Sequence, residues 1–365
     1  MKKDGHRLKD RKKEMLAAVV RAHIATGQPV GSFALARQSA ERLSSASIRN
    51  ICAELEEEGY LTHPHTSAGR VPTDRGYRFY VDNCVGTARL SRTDVARIKE
   101  RLLGDRSQFN PERLMERTSK LLSQLSDNVG VVVLPSIAQD ELQHIDFVKL
   151  SDHRILVITV SSAGRVQDRF IRVESIFSQD ELNSTARYLV ENFQGWTLVQ
   201  IRDELVRRMT EEKALYDKYL RNAVVLFSQS LQEGDQPDVF IEGASNIIAK
   251  PDFTDTERMR DLLKMFEQKG RIVGILNECI ENTGGETVAV RIGSENRYLD
   301  MRDCTVIASR CFYAGGAAVG SIGVVGPTRL EYDRLIRIVD FIAKLFETTL
   351  DPNSSSHLNR NARTL

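Results

Sequence analysis

The chain has 365 residues, 41% hydrophobic and 28% charged, which is the balance of a folded globular protein of two or three domains. No apolar run approaches the roughly 20 residues a membrane-spanning helix needs, and the basic start MKKDGHRLKDRKK leads into an amphipathic stretch rather than a signal-peptide core, so a cytoplasmic protein without a membrane partner is expected. Net charge is only +1, yet residues 1–82 hold 14 Lys/Arg against 10 Asp/Glu, a positive end that suits an anionic partner.

From Asp10 to Thr26, Met15, Leu16, Val19, Val20 and Ile24 recur at helical spacing, and Gly27 with Pro29 stops that helix. A shorter helix follows in SFALARQSA, with Ser32 as N-cap and Phe33, Leu35 and Ala36 facing inward. A turn through Glu41-Arg42-Leu43 leads to SSASIRNICAELEEEGYL. Ser44 or Ser45 caps this helix, Ile48, Ile51, Cys52 and Leu55 form its apolar stripe, and Gly59 suits the left-handed residue after it. Short helix, turn, longer helix is the helix-turn-helix layout, whose second helix enters the major groove by its N-terminal residues. Those residues are Ser45, Ser47, Arg49 and Asn50. Arg and Asn pair bidentately with guanine and adenine edges, and Ser donates to bases or phosphates. The acidic run Glu54, Glu56, Glu57, Glu58 lies at the far end, where it does not meet DNA.

After Gly59, Tyr60 and Leu61 read as a first wing strand, and Pro64 with Gly69 supplies turn chemistry. The wing candidates for DNA contact are His65, Thr66, Ser67, Arg70 and Arg75; Arg70, Arg75 and Arg78 supply its charge. Tyr77, Phe79 and Tyr80 read as packing the wing onto the helices. His63 and His65 lack partners at metal-ligand spacing.

Residues 90–127 are helix-prone. Strands are expected at 130–135, 144–150, 154–160 and 165–171, and helical periodicity across 179–232. Mixed structure returns at Val239-Phe240-Ile241, followed by a helix near 255–268. Strands near 287–293, 304–312 and 318–325 precede a last helix at 329–349. The tail DPNSSSHLNRNARTL is polar and expected to be disordered.

No nucleophile–base–acid arrangement, phosphate loop or metal spacing points to an enzyme, and no cofactor is expected. Five scattered cysteines (Cys52, Cys84, Cys279, Cys304, Cys311) without CxxC spacing argue for reduced thiols rather than a disulfide framework.

The string PHTSAGRVPTDRGYRFYVD (64–82) closely resembles the signature of the HrcA family of bacterial heat-shock repressors. SSASIRNICAELEEEGYL resembles that family's recognition helix. FVKLSDHRILVITVSSAGRVQDRFI, VRIGSEN (290–296) and GSIGVVGPTRLEYDRLI (320–336) resemble its later regions in the expected order. The family often has Thr where Ser47 stands, so one methyl that can touch a thymine is missing here. The resemblance implies an α+β chain with an N-terminal winged helix-turn-helix (1–88), a GAF-like α/β domain (89–175 and 250–350) and a helical inserted dimerisation domain (176–249), before the tail 351–365. Apolar positions of the inserted helices suit core and dimer interface alike. The resemblance also implies a homodimer on double-stranded DNA of the CIRCE inverted-repeat type upstream of chaperone genes. A GroEL-type chaperonin would keep it active and be diverted by heat. A GAF-like domain suits small-molecule sensing as an alternative. The glycines of YAGGAAVGSIG (313–323), however, read as close strand packing rather than a ligand pocket.

Overall fold

The structure, a computed structural model, describes residues 10–38, 44–64, 69–86, 90–103, 111–134, 140–162, 166–209, 218–231, 237–248, 250–253, 255–281, 287–312 and 318–349. The expected turn at 41–43, His65, Thr66 and Ser67, the first half of the 313–323 glycine segment and the tail 351–365 lie outside the described residues. In chain order the elements begin with helices α1 (Asp10–Thr26), α2 (Ser32–Gln38) and α3 (Ser45–Glu57), then strands β1 (Leu61–Thr62) and β2 (Val71–Pro72). Helices α4 (Asp74–Cys84), α5 (Arg92–Leu103) and α6 (Pro111–Ser126) lead to β3 (Val129–Leu134), β4 (Leu142–Ser151), β5 (Arg154–Ser161) and β6 (Val166–Arg172). There follow α7 (Gln179–Phe193), α8 (Leu198–Met209), α9 (Lys218–Leu231), β7 (Asp238–Glu242), α10 (Ala244–Ile248), α11 (Thr256–Glu267) and α12 (Lys269–Glu281). The chain closes with β8 (Val288–Ile292), β9 (Cys304–Phe312), β10 (Ala318–Pro327) and α13 (Tyr332–Thr349). This mixed α/β content agrees with the element order expected from periodicity. Besides the short α10, two helices were not foreseen. Helix α4 occupies part of what reads as wing, because Thr73 caps it by accepting the Gly76 N–H at 3.2 Å. Helix α12 follows α11 after only Gln268.

Contacts divide the chain into two compact units. The first comprises residues 1–106, 116–132 and 240–365. Its sheet has the order β7-β3-β10-β9-β8, with β9 antiparallel to both β8 and β10. Strand β9 is buried from Cys304 to Ser309 on consecutive residues, so both faces of the sheet are covered there. Helices α12 and α13 both pack on β9. Cys279 of α12 meets the Val306 carbonyl, and Tyr332 of α13 lies 3.1 Å from the Thr305 hydroxyl. Gly323 of β10 sits where an added Cβ would come within 2.9 Å of the Ile307 carbonyl, so close strand packing governs that part of the glycine segment.

The second unit comprises residues 107–115 and 133–239. It is an antiparallel meander, β4-β5-β6, backed by α7, α8 and α9. Alternation along the strands sends Ile145, Phe147, Ile155, Val157 and Ile171 into one core with Leu182, Leu189, Phe193, Leu226 and Phe227. Helix α7 starts in a capping box: Ser178 accepts the Glu181 N–H, and the Glu181 carboxylate accepts the Ser178 N–H at 2.9 Å. The opposite face of the sheet aligns Val148, Leu156 and Phe170 across its three strands, with Val166 at its edge. Phe170 is 59% exposed and Val166 57%. These strands thus group with α7–α9 in the second unit. The reason is that the inward faces of β4–β6 find their apolar partners on the helices that follow them.

Candidate nucleic-acid interface

Helix α1 buries Leu16, Val19 and Val20 beneath α3, and α3 answers with Ile48, Cys52 and Leu55. Ser44 caps α3, accepting the Ser47 N–H at 3.1 Å. At the other end Gly59 adopts φ +78°, the Gly59 N–H reaches the Glu56 carbonyl and the Tyr60 N–H the Leu55 carbonyl, both at 2.9 Å. That is a Schellman ending, and it turns the chain directly into β1.

The hairpin pairs Leu61 with Pro72 and Thr62 with Val71. Val30 adds a third strand position by a double hydrogen bond to Arg70, at 2.9 and 3.0 Å. Gly69 permits this, because a Cβ there would lie 2.5 Å from the Val30 carbonyl carbon.

The structure brings four of the expected site residues together on the first two turns of α3. Ser47, Arg49 and Asn50 are exposed and Ser45 half-buried. The Ser45 and Ser32 hydroxyls are 3.2 Å apart, and Arg49 Nε lies 3.4 Å from the Ser32 hydroxyl, which ties α2 to this face. The acidic end of α3 is occupied within the same group of helices. Lys12 bridges Glu54 and Glu58 at 2.6 and 2.7 Å, and both carboxylates hold its ammonium charged, Glu54 most. Glu56 meets His63 and the Arg70 guanidinium, the latter at 3.6 Å. The exposed N-terminal half of α3 therefore presents hydroxyl, guanidinium and amide groups, while Glu54, Glu56 and Glu58 are engaged at the other end.

The wing residues sit differently from one another. Arg70 lies just before β2 beside Val30, its side chain 16% exposed against Glu56. Arg75 donates to the Glu58 carbonyl at 2.9 Å, with its guanidinium 4.7 Å from the centre of the Tyr60 ring. Arg78 is not on the wing. It lies on α4 and faces the five-stranded sheet, donating to both oxygens of Glu295 and to the Val290 carbonyl. Phe33 also departs from expectation: it is 72% exposed, whereas Leu35 is buried. Tyr77 and Tyr80 are buried as expected, and Phe79 packs edge-on to Tyr60.

Sequence reasoning missed a polar joint between the helix group and the sheet of the same unit. Asp74 accepts the Ser294 N–H at 2.8 Å, Tyr80 donates to Asp333, and Arg329 donates to the Ile24 carbonyl at 3.1 Å while gripping Asp252 at 2.7 Å. The available signal was membership: these residues fall in the three sequence blocks 64–82, 290–296 and 320–336, apart from Ile24 and Asp252.

Residues 112–336 match the family model described as the HrcA protein C terminal domain. A heat-inducible transcription repressor HrcA from Geobacter sulfurreducens is 40% identical over 344 residues, covering 94% of this chain and 98% of that one. This chain belongs to the HrcA family. The relative of the same name from Syntrophobacter fumaroxidans is 35% identical over 94% of this chain and 98% of its own length. A crystal structure of a hypothetical protein shares the fold, with a TM-score of 0.59 at 23% identity, covering 93% of this chain and 98% of that one. The HrcA-family resemblance inferred from the motif blocks is thus borne out across almost the whole chain. No helix among the described residues is long and apolar enough to cross a membrane.

Proposed function

We propose that this chain is a negative regulator of heat-shock gene transcription that works by binding DNA, not an enzyme. Residues 1–88 act as a winged helix-turn-helix. Helix α3 enters the major groove, Arg49 and Asn50 read base edges, and Ser45 and Ser47 contact bases or phosphates. The wing lays His65, Thr66, Ser67 and Arg70 along the sugar-phosphate backbone, with Arg75 bracing the wing root. The observation that carries this reading is the exposed Ser47–Arg49–Asn50 face on a capped helix whose acids are all at the other end, where Glu54, Glu56 and Glu58 are engaged.

The five-stranded sheet and its helices correspond to the GAF-like domain, and the second unit to the inserted dimerisation domain. The exposed apolar face of β4–β6 supports that assignment, because such faces mark interaction surfaces. A homodimer then presents two α3 helices to the half-sites of an inverted repeat of the CIRCE type. A GroEL-type chaperonin keeps the cytoplasmic repressor active until heat diverts it. The chain's names among relatives, heat-inducible transcription repressors, support the regulatory part.

The test is a fluorescence-anisotropy titration against a CIRCE-type repeat and a scrambled duplex at several salt concentrations, with and without chaperonin. Preference for the repeat, strengthened by chaperonin, is the expected result. Equal, salt-sensitive binding to both duplexes overturns the operator assignment.

A further inference from the structure

Phe33 is the most exposed large apolar side chain among the described residues. It belongs to α2, a helix anchored by Leu35 in the core. Two residues of helix are about 200° of rotation, so Phe33 projects away from the side that Leu35 buries. Its chain neighbour Ser32 contacts the Ser45 hydroxyl and Arg49 Nε on α3. Arg37 follows one turn later on the face of α2 that carries Phe33. An unshielded aromatic ring thus stands on the short helix that carries Arg37 and that Arg49 of α3 meets through Ser32.

The geometry points to Phe33 as a further DNA-contacting, specificity-determining residue that packs on a thymine 5-methyl group of the operator. This rests on the reading of α3 as the groove-entering helix. In that layout the preceding helix crosses the duplex beside the groove. A phenyl ring offers nothing to a phosphate, and the thymine methyl is the apolar group that the major groove exposes. Burying the ring there removes apolar surface from water that the free protein leaves wet. The surrounding positive charge favours a nucleic acid over a second apolar protein surface as its occupant.

The experiment uses the full chain and the inverted-repeat duplex, with Phe33→Ala and Phe33→Leu variants. Operators with each thymine replaced in turn by uracil delete one methyl at a time. Phe33→Ala is expected to weaken operator binding about tenfold and Phe33→Leu much less. One uracil position per half-site should cost the native chain about fourfold and the Phe33→Ala variant nothing. The inference is overturned if Phe33→Ala binds like the native chain, or if it keeps the full uracil sensitivity. It is equally overturned if Phe33→Ala alters only sedimentation, which assigns the ring to contact between copies. If the native chain does not prefer the repeat over the scrambled duplex, the groove reading itself fails, an outcome distinct from the others.

Discussion

Arg78 and Glu295 are 217 residues apart in sequence, yet the Arg78 Nε donates to Glu295 Oε1 at 2.7 Å while its Nη2 reaches the Val290 carbonyl at 2.6 Å. One side chain of α4 thereby satisfies both a carboxylate and a carbonyl in the middle of β8. Replacing Arg78 by Ala leaves the Val290 carbonyl and one face of Glu295 without this donor, and should cost about 1–3 kcal/mol of stability. Arg78→Lys should recover only part, since an ammonium cannot serve the fork. Urea unfolding of both variants checks this, with Arg49→Ala as a control whose stability should not change.

On the interface itself, Arg49→Ala and Asn50→Ala should each remove about 1–3 kcal/mol of discrimination between operator and scrambled duplex. Equal losses on the two duplexes would make the side chain a phosphate contact instead.

Arg70→Ala should weaken binding to every duplex and reduce the salt slope by about one. It should also lower the melting temperature, because Glu56 loses its guanidinium neighbour. A lower melting temperature with an unchanged slope would confine Arg70 to its structural pairing with Glu56.

His23 is 2.7 Å from the Tyr77 hydroxyl, and burial, aided by the nearby Arg329 guanidinium, lowers its pKa below the ordinary value of about 6.5. The unfolded chain therefore binds this proton more readily than the folded one. The contribution is complete above about pH 6.5 and is lost as pH falls toward the folded-state value. His23→Gln should flatten that part of the stability profile, measured as the urea midpoint between about pH 5 and 8.

Thiol reagents should label Cys84 first. Cys52, Cys279, Cys304 and Cys311 are buried, and burial pushes the Cys279 thiol up to about 12 and Cys304 higher still. Cys84 is partly accessible, though burial raises its pKa too, so labelling should quicken with alkaline pH. Mass spectrometry of the native protein after brief alkylation reads the order directly.

Local patterns were legible where the cause is local. Gly59 takes the left-handed conformation expected after α3, Ser44 caps that helix, and β4–β6 fall where alternation placed them. Phe33 was misplaced because in a seven-residue helix periodicity has too few turns to separate the buried face from the wet one. The role of Arg78 was hidden because its partner lies in the 290–296 block, and nothing in either stretch alone reveals the pairing. The grouping of β4–β6 with α7–α9 was hidden for a related reason. An alternating strand declares that one face is covered, but not by which helices.

Strand β3, residues 129–134, lies between β7 and β10 in its sheet. Neither neighbour exists on a growing chain until more than a hundred further residues have been made, because the 133–239 unit is synthesised first. The nearly contiguous second unit can close early, whereas the sheet that braces α4 must wait for residues 288–327. Through that interval the strongly apolar Val129–Leu134 has no sheet partner, and late closure of such distant pairings is slow and prone to aggregation. The order of translation thus leaves α4 and the helices packed with it without their bracing sheet until the last stage of folding.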